Sequence, residues 1–284
     1  MKKRIWFGAV AILLLTSCKK NPSANIIDPT GCNYVMDETQ YTNNGWTKVF
    51  EDNFDTDLSK WNIWTGGAYN NELQFYQAAN LQLVSGSLAI IAKKEKVTGA
   101  TLPTNPALST FNYTSGRLEC KANISANTVT PKLRIMARIQ LPKGYGMWPA
   151  FWSMGDPWPT QGEIDFVEAR GNEPTKYSTN YYYGSVAGTI FNEDAAYTVN
   201  AISDLTNCYH VYEIEWAQNT LTSYLDGKLV ETKRAGTHIP DLFGKTEHIV
   251  LNLAIGGSFF PGLDKSLIET GTMYVDWVKV FTSK

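Results

Sequence analysis

Histidine and cysteine are scarce in this chain, with three of the first and four of the second in 284 residues. His210, His238 and His248 are scattered and no cysteine pair has zinc spacing, which argues against a zinc-centred chemistry. His210 reads as a buried strand histidine rather than a catalyst. Charge of one sign is missing too. The formal net charge is −2 and no basic block follows the first four residues, so nothing points to nucleic acid and a neutral substrate is expected. Internal repeats, long helical stripes and low-complexity tracts are absent. Short segments such as Gly86-Ser87-Leu88-Ala89-Ile90-Ile91-Ala92 and Thr222-Ser223-Tyr224-Leu225-Asp226-Gly227-Lys228 read instead as strands and turns.

The longest apolar run near the start, Ile5 to Leu15 after Met1-Lys2-Lys3-Arg4, is too short to span a bilayer as a stable helix and reads as a signal peptide. It ends at Leu15-Thr16-Ser17-Cys18, which resembles a bacterial lipobox. That resemblance implies cleavage before Cys18 and lipidation of it, so that the chain is exported and anchored to the bacterial envelope, at the outer membrane or cell surface. Ordinary secretion, with Cys18 discarded, is the alternative. The division expected is a signal peptide over 1–17, the lipidated cysteine and a polar flexible linker over 18–45, and one large β-domain over 46–284. A monomer is expected.

What is present is acid in an apolar setting. Glu163-Ile164-Asp165-Phe166-Val167-Glu168 places three carboxylates within a strand-forming stretch. On a regular strand Glu163 and Asp165 share one face and Glu168 points to the other. One extra residue near Phe166 or Val167 would restore Glu168 to their face, and such bulges are common beside active sites. Two carboxylates across a sugar ring are what retaining glycoside hydrolysis needs, about 5–5.5 Å apart. Strand positions four or five apart are separated by roughly 13 Å, so a concave sheet with inward-leaning Glu side chains is required. A solvated acidic strand edge is the plain alternative. Trp148, Trp152 and Trp158 stand just upstream and offer faces on which sugars stack. Trp148 and Trp152, four apart, divide between core and cleft, while Trp158, flanked by prolines, suits a cleft wall.

With these segments the chain resembles glycoside hydrolase family 16, most closely its bacterial laminarinase branch. Phe50-Glu51-Asp52-Asn53-Phe54, Asn70-Asn71-Glu72-Leu73-Gln74-Phe75-Tyr76, Ser115-Gly116-Arg117, Leu141-Pro142-Lys143-Gly144, Trp148-Pro149-Ala150-Phe151-Trp152 and the acidic hexapeptide carry the likeness. His210-Val211-Tyr212-Glu213-Ile214-Glu215-Trp216, Asn252-Leu253-Ala254-Ile255-Gly256-Gly257 and Asp276-Trp277-Val278-Lys279-Val280 follow in order. The resemblance implies an all-β, concanavalin-like jelly-roll sandwich of two antiparallel sheets with a concave substrate cleft. It implies Glu163 as nucleophile, Glu168 as general acid/base and Asp165 as supporting acid, with Asn71, Arg117, Trp148, Trp152, Trp158 and Tyr182 as sugar contacts. Tyr182-Tyr183-Gly184 replaces the family's usual His-aromatic-Gly step, and Met136 stands where the family commonly has Glu; both changes bear on specificity.

Catalysis by two carboxylates needs no cofactor. Relatives of this kind often carry a structural calcium, and the resemblance assigns it to Asp276 and the carbonyl of Gly86. After Cys18 three cysteines remain, an odd number that implies one pair with a thiol left over, or no bridge. If Arg117 faces sugar, alternation turns Cys120 to the core, and Cys32 pairs with Cys208.

The activity expected is endo-hydrolysis of β-1,3, or mixed β-1,3/1,4, glucosidic bonds in laminarin-like polysaccharides. A family 16 galactanase such as an agarase, porphyranase or carrageenase is the alternative within the enzymes. A non-catalytic surface glycan-binding lipoprotein, which would have no reason to keep both Glu163 and Glu168, is the alternative outside them, and a ligand-free envelope lipoprotein leaves the acids unexplained.

Overall fold

Strands rich in Val, Ile and aromatic residues pair into two antiparallel sheets, one of eight strands and one of seven. The computed structural model describes residues 32, 34–191, 195–201, 203–234 and 238–284. In the front sheet the strands run, from one edge, Tyr197–Asn200, Lys176–Tyr182, Glu163–Ala169, Met147–Met154, Glu247–Ile255, Arg117–Ile124 and Trp61–Ile63. The back sheet is built around Lys132–Gln140, with His210–Ala217 on one side and Gly271–Ser283 on the other. This is the all-β sandwich expected.

Alternation along each strand explains the layering. From Lys132–Gln140, Leu133, Ile135, Ala137 and Ile139 enter the core between the sheets, where they meet Ile249, Leu251, Leu253 and Ile255 of the front sheet. Burying one such side chain contributes roughly 1.5–3 kcal/mol, so this inter-sheet layer holds the scaffold on which the acids sit. The Glu247–Ile255 strand is buried on its outer face as well, at Val250, Asn252 and Ala254, the last packed with Trp148 and Phe260.

The segment before residue 46 departs from the expected linker. A short helix, Thr39–Thr42, lies on the outer face of the back sheet, where Tyr41 is buried 5.4 Å from the ring of Phe281 and donates from its hydroxyl to Glu213. Arg134 lies against the rings of Tyr41, Trp46 and Tyr224 and is paired with Glu213 and Glu215. Arg138 donates to the carbonyl of Tyr34. Composition hides this strap because it docks through single aromatic anchors rather than a periodic apolar stripe. Cys32 and Cys208 form the disulfide, and Cys120 is a free, buried thiol. His210 is fully buried, with Nδ1 2.7 Å from Asp226. Cys18 and the apolar run before it lie outside the described residues. Among the described residues no helix is long and apolar enough to cross a membrane.

Candidate active site

The acidic strand carries the bulge that parity requires. Ala150 pairs with Glu168 and Phe151 with Val167, but Trp152 pairs with Asp165, leaving Phe166 without a partner on that side. On the other side Asp165 faces Asn180 and Glu168 faces Ser178, so Phe166 and Val167 stand opposite Thr179 alone. Ile164, Phe166 and Val167 all enter the inter-sheet core. Glu163, Asp165 and Glu168 are thereby returned to the opposite face.

Two indoles hold the outer acids. Trp158 Nε1 donates to Glu163 at 2.5 Å and Trp148 Nε1 donates to Glu168 at 3.1 Å. Asp165 is 3 % exposed, with one carboxyl oxygen lacking any partner. Burial and the charges of Glu168 and Glu163 raise its pKa well above the carboxylate range, so it keeps its proton and donates to Glu163. Burial, then repulsion from Glu168, raises Glu163 to about 8, against the opposing pull of Trp158 and Arg117. Burial pushes Glu168 up to about 7, with Trp148 and Arg170 resisting and Glu72 reinforcing. The three acids therefore share fewer than three charges at neutral pH and shed protons in joint steps. In the free site Glu168 therefore ionises before Glu163, the reverse of the order that the reaction uses. The roles are set instead by hydrogen-bond supply: Glu163 receives hydrogen bonds from Trp158 and Asp165, which stabilise an anion there, and Glu168, with the Trp148 donor alone, is left to carry the proton for a leaving group once sugar fills the site.

Polar groups beside the acids form one connected network. Trp152 Nε1 donates to Asn252 at 2.7 Å, Asn252 donates to the hydroxyl of Tyr76, and Tyr76 donates to Glu72 at 3.0 Å. Gln74 also donates to Glu72 and accepts from the backbone of Ile255. Arg117 is 7 % exposed, gripped by Glu119 and sandwiched between Trp64, 4.2 Å away, and Trp152, 5.1 Å away. Gly257 has φ +79°, and a Cβ there would lie 2.9 Å from the Asn70 carbonyl and 3.2 Å from Trp148. Only glycine lets this turn close against Trp148.

The residues anticipated from sequence gather here, in altered roles. Trp148 is 8 % exposed and stacked on Phe259 at 4.6 Å, so it orients Glu168 and has little face left for a sugar. Neither Trp148 nor Trp152 belongs to the inter-sheet core. Asn71 stands exposed at a left-handed turn, next to Glu72, which bridges to Gly256. Tyr182 faces Glu163 across the strands, and burial together with the charges of Asp165, Glu168 and Glu163 raises its hydroxyl above the usual range. Trp64, Glu72, Tyr76, Asn252 and Phe259 were not anticipated as site residues. Glu72, Tyr76 and Asn252 lie within segments that carried the resemblance, whereas no local pattern marks Trp64. At the place assigned to calcium, one oxygen of the Asp276 carboxylate accepts from Arg138 at 2.7 Å. Among the described residues no group of three or more His, Cys, Asp or Glu could hold a metal.

Comparison with known proteins agrees with this geometry. A clotting factor G alpha subunit from Tachypleus tridentatus is 30 % identical over 83 % of this chain and 34 % of its own length. A glucan endo-1,3-beta-glucosidase A1 from Niallia circulans is 29 % identical over 84 % of this chain and 38 % of its own. The chain thus spans about a third of the length of these two relatives. The crystal structure of an endo-beta-1,3-glucanase from Pyrococcus furiosus superposes with a TM-score of 0.71 at 30 % identity, covering 84 % of this chain and 95 % of that one. The family model for glycosyl hydrolases family 16 matches residues 76–279, most of the sandwich and all three acids, and the chain belongs to that family.

Proposed function

We propose that the protein is a retaining endo-β-1,3-glucanase acting on laminarin-like polysaccharides. The observation that carries the reading is the bulge at Phe166, which sets Glu163 and Glu168 on one face, each held by an indole N–H. Ionised Glu163 attacks the anomeric carbon and the glycosidic bond breaks as Glu168 gives its proton to the departing oxygen. Glu168, now a carboxylate, then takes a proton from water, whose oxygen attacks the same carbon and releases Glu163. Asp165, protonated and hydrogen-bonded to Glu163, supports the anion and holds its orientation. β-1,3-Glucan is favoured over galactans by the names of the Niallia circulans and Pyrococcus furiosus proteins. Tyr182 is the residue through which preference would differ from theirs. The lipobox at Cys18 supports export and anchoring to the envelope.

Glu163→Gln tests the chemistry. The isosteric amide cannot form the glycosyl ester, so kcat should fall about a thousandfold or more, roughly 4 kcal/mol of barrier, while the thermal midpoint stays near wild type. A variant within about tenfold of wild type would reject Glu163 as nucleophile. Product release from laminarin, lichenan, agarose and carrageenan, with proton NMR of the first anomer formed, tests the rest. Oligosaccharides of β configuration from laminarin are expected. An initial α-anomer, or release from agarose alone, would sink the retaining or the glucanase reading respectively.

A further inference from the structure

A fourth carboxyl lies beneath the acids, and the mechanism does not use it. Glu247 opens the Glu247–Ile255 strand and is 1 % exposed. It accepts one hydrogen bond, from the Ser153 hydroxyl at 2.5 Å, and its other oxygen has no partner. That second oxygen faces Gly162, the residue immediately before Glu163: a Cβ on Gly162 would lie 2.6 Å from it and 2.6 Å from Leu242, and φ there is +93°. The same stretch receives the rest of the loop that carries Trp158. Thr246 N–H donates to Gln161, and a Cβ on Gly155 would come within 2.1 Å of the Thr246 carbonyl. Gly155 and Gly162 close the loop by a backbone hydrogen bond.

We propose that Glu247 is a positioning residue for the nucleophile: as a neutral carboxylic acid it packs against Gly162, and through Gly162 and Ser153 it fixes the loop that aims Trp158 at Glu163. The inference rests on Glu163 being the nucleophile. Neutrality follows from the surroundings. Two uncharged neighbours, Ser153 and Leu242, and the backbone at Gly162 leave a carboxylate there without a counterion, and burial pushes Glu247 up to about 8, with the charge of Glu163 adding to it. The charges bearing on it come from the Glu163–Ala169 strand. Glu163 raises Glu247, Glu247 raises Asp165 in turn, and Asp165 raises Lys233 of the Lys228–Arg234 strand. Ionisation of Glu247 places an unpaired charge against the Gly162 turn, which disturbs the seat of the loop.

Asp165, raised furthest of the acids, keeps its proton beyond the range considered, so two protons are lost in turn as the pH rises through it, one from Glu168 and one from Glu247. In the wild type log(kcat/KM) should fall with a slope steepening towards −2 above about pH 8, and Glu247→Gln, permanently neutral, should return the slope to −1. The thermal midpoint gives a reading independent of turnover. A carboxyl raised in the folded state favours folding below its unfolded pKa, and that contribution is lost as pH rises towards the folded value. The wild-type midpoint should drop between pH 5 and 8 by several degrees more than that of Glu247→Gln. Glu247→Leu, which also removes the acceptor of Ser153, should lower kcat about tenfold with KM little changed, because the seat acts on the nucleophile and not on the sugar. Should Glu247→Gln fail to fold, the wild-type slope alone decides. A wild-type slope of −1 throughout, or pH profiles and midpoints that coincide in wild type and Glu247→Gln, would overturn the proposal. A protein inactive on every polysaccharide whose midpoint still shows the Glu247-dependent drop would instead overturn the glucanase reading.

Discussion

Each outer acid has an indole as its hydrogen-bond partner, and the two indoles differ in what else they do. Trp158 belongs to a loop, while Trp148 is fixed by its stack on Phe259. Because Trp148 donates to Glu168, it stabilises the charged form and draws the pKa down. Trp148→Phe keeps a ring against Phe259 and removes the donor, so Glu168 should hold its proton to higher pH. The alkaline limb of kcat/KM should move upward while kcat drops severalfold through lost orientation. A limb that stays in place or moves to lower pH would show that the indole N–H does not govern Glu168. Arg117 teaches a related lesson. Its guanidinium is held by Glu119 and two indole faces, so Arg117→Lys would lose both the fork and the stacking.

At the scale of the strand, the bulge links packing to chemistry. Phe166 meets Phe151 edge-on at 4.7 Å inside the core, and that contact keeps Glu168 turned outward. Phe166→Ala should cost about 3–5 kcal/mol by thermal or denaturant unfolding, and activity should fall at temperatures where the fold survives. A loss below about 1 kcal/mol would mean that the ring does not anchor the bulge. The bulge was legible because Glu163 and Asp165 share a face of a regular strand that Glu168 does not, and one extra residue near Phe166 or Val167 brings all three acids together. Contacts between distant segments were not. Trp64 meets Arg117 across 53 positions, and Ser153 meets Glu247 across 94, with no local period to announce either. Trp148 could be read only as an aromatic near the acids, since its choice between sugar and Glu168 depends on Phe259 covering its face. The sandwich itself was legible from short strands and the family likeness. The strap was not, because its anchors, Tyr34, Tyr41 and Trp46, are single rings in polar sequence.

For the molecule as a whole, the disulfide and the strap stabilise the back sheet. Cys32 and Cys208 are 176 positions apart, so breaking their bond frees a long loop in the unfolded chain. Cys32→Ser should lower stability by about 2–5 kcal/mol. Hydrogen exchange should quicken at residues 34–45 while 147–168 stays protected, and the rate on laminarin at 25 °C should persist. Equal loosening of both sheets would contradict the division of labour between them.

The strap also defines a mechanical path. A tug applied upstream of Cys32 enters the folded domain through the disulfide at Cys208, and through the ring and carbonyl contacts that Tyr34 and Tyr41 make with the back sheet. The load is taken up by His210–Ala217, Lys132–Gln140 and Gly271–Ser283, where neighbouring backbones share it through hydrogen-bond ladders. The Glu163–Ala169 strand lies in the other sheet, off that line of tension. A domain pulled from its N-terminal side while its substrate resists would strain its outer layer first and leave the spacing of its carboxylates unchanged.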